Sequence, residues 1–264
     1  MSMSSEAVKR TARTALKDNY IKSMICCTVF VFAYLLSIYA NSLFDFVMGK
    51  VAYYIAFTLV GIFVLLPLFL GLLRFFWRSL FGADDKITVM FYYFSSPQLY
   101  KKALGFILLF ILKFAVWGIL LYLPAILIDV IASPEFFNLF KISPPIWISN
   151  LWPISSFLKI IAFVAMFSVF LKYYIAPVLF IADDNMDSAE AIHMSTIIAK
   201  GSAIDFVYLF FSLIGWIFIC LFLIPIIFVM PYLVCSYLVH VRFAVAKYNK
   251  HISVDDDNIP TFAV

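Results

Sequence analysis

The chain has 264 residues, 65% of them hydrophobic and 13% charged, with a formal net charge of +4. A soluble domain is about 45–50% apolar and about a quarter charged, so here there are too few polar side chains to coat the apolar ones. A water-soluble globular fold is excluded, and lipid is the solvent for most side chains, which suits an aromatic share of 19% led by 31 Phe.

Residues 5–19 pattern as an amphipathic helix on the inner membrane surface. Val8, Ala12, Ala15 and Leu16 share one face, and Lys9, Arg10, Arg13 and Lys17 form a basic flank suited to anionic headgroups. A frayed cytoplasmic tail is the alternative. The first span is expected at 24–44, since its apolar run is too long for a signal peptide and no A-x-A cleavage site follows. The second is expected at 51–73, with Pro67 inside it. In the segment 74–102, Ile87, Met90, Phe91 and Phe94 have helical spacing, which predicts a short helix along the interface.

The third span is expected at 103–131, interrupted near Leu123-Pro124. Residues 133–155 carry Pro134, Pro144, Pro145, Pro153, Trp147 and Trp152. Prolines forbid a regular helix and tryptophans favour the headgroup layer, which predicts a re-entrant or surface-lying loop. The fourth span, 156–176, ends before Pro177. Asp187 followed by Glu190 is a capping-box start for another helix, with Met194, Ile197 and Ile198 on one side and Gly201 as its stop.

The last apolar run, 206–246, would make ~60 Å of helix, about twice the hydrocarbon thickness. It must therefore turn back, and Pro225 places the turn near Ile224-Pro225, giving spans at 205–224 and 226–242. Together these predict an all-α, polytopic transmembrane helix bundle of about six spans, with short interfacial amphipathic helices on the cytoplasmic side. One membrane domain, 1–250, would be followed by a disordered cytoplasmic tail, 251–264, that carries Asp255, Asp256 and Asp257.

Lys and Arg mark the cytoplasmic ends of spans. Lys9, Arg10, Arg13, Lys17 and Lys22 precede the first span; Arg74, Arg78, Lys86, Lys101 and Lys102 follow the second. Lys200 follows the fourth, with Lys172 just inside its end, and Lys247 and Lys250 follow the last, which ends at Arg242, while the opposite side holds Lys50, Lys141 and Lys159. Both termini are expected in the cytoplasm.

Nothing matches a phosphate-binding glycine loop, a nucleophile elbow or HExxH, so no catalytic residue and no cofactor is expected. Cys26, Cys27, Cys220 and Cys235 lie in apolar runs without CxxC spacing, reading as small apolar residues rather than metal ligands. His193, His240 and His251 are far apart in sequence and read as structural or solvated. The stretch 183–187 is formally a DDxxD, which can hold Mg²⁺ against a diphosphate when a second acidic motif faces it. Asp84-Asp85 is the one available, and the simpler reading is a solvated turn in which Asp187 caps the next helix.

Lys113 lies about ten residues into the third span, ~15 Å deep. It is either a snorkelling or bundle-buried lysine or the centre of a transport cavity. Asp205 and Arg242, near the same ends of spans five and six, are expected to pair across the hairpin. Helix packing is expected around Gly215 and Trp216, with Ser212 one turn earlier, since small residues allow close backbone approach and Ser can bond across helices.

The stretch 172–177, then Ala182, Asp183, Asp184, Ser188, Ala189, Ala191, Ile192, Ser195, Lys200 and Gly201, together with 212–216 and Pro231-Tyr232, resembles a bacterial multi-pass integral membrane family. That family is catalogued as a domain of unknown function and looks related to the membrane-anchor domain beside some glycerophosphodiester phosphodiesterases. Residues 12–20 and 84–104 also fit, so the resemblance covers nearly the whole chain. The chain departs from it at Pro124-Ala125, where the family tends to have Pro-Gly, and in 133–155, which looks like an insertion. The resemblance implies architecture and bacterial origin, with no activity to inherit.

The function expected is therefore a non-enzymatic scaffold or accessory subunit of the cell membrane, in contact with lipids and a membrane protein partner and not with nucleic acid. The alternatives are a small-solute or lipid transporter with a cavity near Lys113, and a Mg²⁺-dependent lipid enzyme using Asp84 and Asp184.

Overall fold

The structure, a computed structural model, describes residues 5–17, 19–82, 86–133, 136–138, 141, 151–220 and 222–255. The fold is all-α. Among the described residues, five helical stretches are long and apolar enough to cross a membrane: Tyr20–Ser42, Lys50–Leu80, Pro97–Ala132, Leu151–Ala182 and Pro225–Lys250. A sixth is completed if Ser188–Lys200 and Ala203–Ile219, bent by 84° at Gly201, count as one span. The chain forms two compact units, Met1–Leu109 with Tyr174–Val264, and Phe110–Tyr173.

In the first unit, α1 (Ser5–Lys17) does form, but its apolar stripe does not meet lipid. Val8, Ala12 and Leu16, spaced four apart, are buried against the last helix of the chain. Lys9 Nζ donates to the carbonyl and hydroxyl oxygens of Ser212, and the Arg13 guanidinium lies 5.6 Å from the Tyr232 ring centre. The amphipathic pattern thus fits a protein groove rather than a headgroup layer, a choice that periodicity alone leaves open.

Helix α2 (Tyr20–Met48) is followed by α3 (Lys50–Val60), a π-helical turn (Gly61–Leu65) and α4 (Leu66–Leu80). Pro67 explains the widened turn. It has no N–H for the Phe63 carbonyl four residues back, and its ring crowds that carbonyl. The Tyr100 hydroxyl supplies the missing bond, 2.8 Å from Phe63 O.

Helix α4 is buried on nearly every side, from Pro67 to Trp77 apart from Phe69. Against it packs a 3-10 helix, Ile87–Phe94, where an α-helical spacing was expected. With three residues per turn its inward stripe is Ile87, Met90 and Tyr93, leaving Phe91 and Phe94 exposed. Gly71 is the reason it can come so close. A methyl group there would lie 1.9 Å from the Met90 carbonyl oxygen.

Helix α5 (Pro97–Ala132) starts at a serine cap, Ser96 Oγ accepting from Leu99 N at 3.3 Å. It runs through Pro124 without the expected interruption. Helix α6 (Leu151–Tyr173) has Pro153 in its first turn, where a missing N–H costs nothing. In the second unit, Ser155 Oγ reaches the Ala125 carbonyl and the Asp129 carboxylate, and Lys159 pairs with Asp129 at 2.6 Å. Most of the segment 133–155 lies outside the described residues.

Back in the first unit, α7 (Ala176–Ala182) starts with Pro177, and α8 (Ser188–Lys200) starts where expected, with Asp187 as its cap accepting from Ala189 N. Helix α9 (Ala203–Ile219) is 17 residues, ~26 Å, so it is about one turn short of a full crossing. Helix α9 ends at Ile219 and α10 (Leu223–Asp255) begins before the turn expected near Ile224-Pro225, because α10 accommodates Pro225 in its first turn. Helix α10 also takes in the first five residues of the expected tail; 256–264 lie outside the described residues.

Gly71→Ala is expected to lower stability by about 1–3 kcal/mol or more, because two backbones must move apart. Gly215→Ala is expected to leave it unchanged or raised, since a methyl group there meets nothing within 4 Å. Thermal unfolding of the detergent-solubilised variants decides between these two glycines as the close-packing position.

Candidate functional site

The densest polar cluster of the first unit is built around α7. Short and apolar, α7 buries Ala176, Val178, Leu179, Phe180 and Ile181, so its last carbonyls need partners from elsewhere in the protein. Arg74, buried on α4, provides them. Its Nη1 lies 3.3 Å from Ile181 O and 2.6 Å from Asp184 Oδ1, and its Nη2 lies 2.8 Å from Asp184 Oδ2. This is a two-pronged arginine–carboxylate contact, and its planar geometry is why Lys would not replace Arg here.

The guanidinium also lies 3.8 Å from the ring centre of Tyr92. Lys102 Nζ donates to the backbone carbonyl of Asp184. Phe180 is stacked between Tyr93 and Phe106, with ring centres 6.1 Å and 4.3 Å away. Four segments, α4, the 3-10 helix, the start of α5 and the 183–187 turn, therefore meet at one point.

Hydrogen bonds from Arg74, its positive charge and a hydrogen bond from Tyr92 hold the Asp184 carboxyl below the ordinary carboxylate value, against partial burial, which acts the other way. Burial pushes the Tyr93 hydroxyl well up, against the nearby Arg74 charge, so it stays a neutral phenol. Asp183 makes a local turn, its Oδ1 accepting from Asn185 N at 2.8 Å.

A cation between Asp183 and Asp184 would have to compete with the Arg74 guanidinium, which bonds both Asp184 oxygens. The residues present thus serve as a joint more readily than as a diphosphate site. Asp84 and Asp85, the other half of the expected Mg²⁺ arrangement, lie outside the described residues.

A second network lies where α8, α9 and α10 meet the Tyr174 turn. The Tyr174 hydroxyl is 3.0 Å from both Ser202 Oγ and His240 Nε2, and all three residues are buried. Ser202 Oγ donates to Ile198 O, and the Tyr237 hydroxyl donates to Tyr174 O. His240 is thus structural, as its isolation in the sequence suggested.

At the rim, Asp205 pairs with Lys247 at 3.6 Å, and Lys247 also donates to Gly201 O at 2.8 Å. The expected Asp205–Arg242 pair is therefore replaced. Arg242 instead lies over the Phe81 ring, 4.5 Å from its centre. Lys247 sits five positions further along α10 and also satisfies a carbonyl at the end of α8, which settles the competition.

Lys113, in the second unit, is exposed beside the equally exposed Leu112 and Val116. Ser212 receives Lys9, and Trp216 packs edge-on against Tyr232 at 5.9 Å. Gly215 faces open space, so the small-residue motif brings no backbone close.

Residues 1–245 match the model of a family described as "Protein of unknown function (DUF975)". The chain belongs to that family. No curated protein and no solved structure matches it. The DUF975 match runs through α1 and through both networks, so Arg74, Tyr92, Lys102, Tyr174, Asp184 and His240 all lie within the family's domain.

Arg74→Ala is expected to cost about 2–4 kcal/mol, below the full range for a buried pair because Asp184 is half exposed. The lowered Asp184 value also fixes a pH dependence. Its contribution is complete above the unfolded carboxylate value, about pH 4, and is lost as acid takes the pH down through the lowered folded value. Unfolding curves of wild type and Asp184→Asn should therefore differ near neutrality and draw together in acid.

Proposed function

We propose that this DUF975 protein is a non-enzymatic scaffold or accessory subunit of a bacterial cell membrane, with both termini in the cytoplasm. The observation that carries this reading is the use to which polar side chains are put. Arg74 with Asp184, Tyr174 with Ser202 and His240, and Asp205 with Lys247 each tie helices together. These groups bond to one another across helices, with Arg74 Nε alone among them buried and unbonded, and none is poised beside an open polar pocket as a nucleophile or base.

The Lys and Arg distribution supports the orientation. Arg74 and Arg78 lie in the last two turns of Lys50–Leu80, Lys101 and Lys102 in the first two of Pro97–Ala132, and Lys247 and Lys250 in the last of Pro225–Lys250, the ends expected in the cytoplasm. The family's resemblance to the membrane-anchor domain beside some glycerophosphodiester phosphodiesterases would fit a supporting role for another protein. Transport centred on Lys113 would need a wet cavity round its ammonium group. That side chain is exposed among Leu112 and Val116, so a further chain would have to enclose it.

The test is isolation of the native assembly in mild detergent with its lipids retained, followed by mass spectrometry. A stoichiometric membrane protein partner is expected, unaffected by Lys113→Ala. A single co-purifying solute that disappears with Lys113→Ala would overturn the scaffold reading in favour of transport. Tags at the two ends are expected to be reached by protease only after the cytoplasmic side is opened; cleavage of either in intact spheroplasts would refute the orientation.

A further inference from the structure

Within the first unit a groove of about 710 Å³ lies between α2, the α3–α4 segment and α10. Its walls include Phe30, Tyr34, Gly61, Ile62, Phe69 and Met230, and nearly all the exposed lining is apolar. The hydroxyl of Thr58, also in the wall, is already bound to Tyr54 O at 2.8 Å. The volume is in the range of small-molecule sites, about 300–1,000 Å³.

The π-helical turn Gly61–Leu65 forms one wall. Such turns are uncommon and frequently occur at functional sites. Here the turn is held by the bond from Tyr100 to Phe63 O. It presents Gly61, where a methyl group would meet nothing within 4 Å, so the absent side chain leaves groove space rather than admitting another helix.

We infer that this groove holds one acyl chain of a bilayer phospholipid. All its walls belong to membrane-crossing stretches, so its open side faces hydrocarbon. Water has no set of polar partners there, and an empty groove would forfeit dispersion contacts along its length. From Phe57 to Phe69 the wall is ~18 Å long at ~1.5 Å per residue, close to the ~15 Å of one leaflet's acyl chains. The headgroup makes no claim on the groove; recognition is by the shape of the hydrocarbon tail.

The test uses the full chain in vesicles of phosphatidylethanolamine and phosphatidylglycerol, with a trace of phosphatidylglycerol carrying a mid-chain diazirine. After illumination, peptides are mapped by mass spectrometry. Adducts are expected several-fold more often on residues 30–35 and 57–69 than on the equally apolar, lipid-exposed Phe157, Ile160 and Val164. Gly61→Phe, which fills the groove, is expected to abolish that excess, while Gly118→Phe keeps it. Even labelling over all exposed apolar faces, or an excess that survives Gly61→Phe in folded protein, would overturn the assignment. If Gly61→Phe does not fold, the wild-type labelling ratio decides alone.

Discussion

A polypeptide in hydrocarbon has no water with which to satisfy a backbone group that its own helix leaves free, and the architecture follows from that constraint. Pro67 removes the donor for the Phe63 carbonyl, and the chain answers with a π-helical turn and the Tyr100 hydroxyl. The end of α7 leaves carbonyls unbonded, and Arg74 and Lys102 reach Ile181 O and Asp184 O. The end of α8 leaves Gly201 O, which Lys247 takes. In each case a side chain from a distant segment completes a helix, and that bond also fixes where the segments cross.

Helix α4 is where these requirements meet. It is buried almost all round, it carries the glycine against which the 3-10 helix rests, and three residues later it carries Arg74. One turn of helix thus sets the approach of Met90 and the position of Asp184. Both prongs of the salt bridge are made and Tyr92 covers the guanidinium, while Arg74 Nε is buried without a partner. Polar groups in this protein hold helices in place, while apolar surface provides what is left for binding.

That division bears on function. The ion pairs Arg74–Asp184 and Asp205–Lys247 join separate helices, and the groove beside Gly61 is lined almost wholly by apolar side chains. Lys113 lies exposed on a helix with apolar neighbours. It can reach toward the interface along its own stem, or meet a carboxylate on another protein, and either fits an accessory subunit.

Composition and hydropathy by themselves determined the membrane class, the all-α fold and the approximate position of the crossings, because hydrocarbon demands long apolar helices whatever their packing. Local chemistry also determined the Asp187 cap, which depends only on neighbours in sequence. The tertiary structure alone decided whether α1 faces lipid or protein, since Val8, Ala12 and Leu16 would make the same stripe for either. It decided that Gly71 and not Gly215 is the position of close approach, and that the 87–94 segment takes a three-residue period to follow α4. It decided the partners of Asp184, Asp205 and Arg242 as well, since residues 110 positions apart pair only when packing brings them together, and nothing in either neighbourhood names the other.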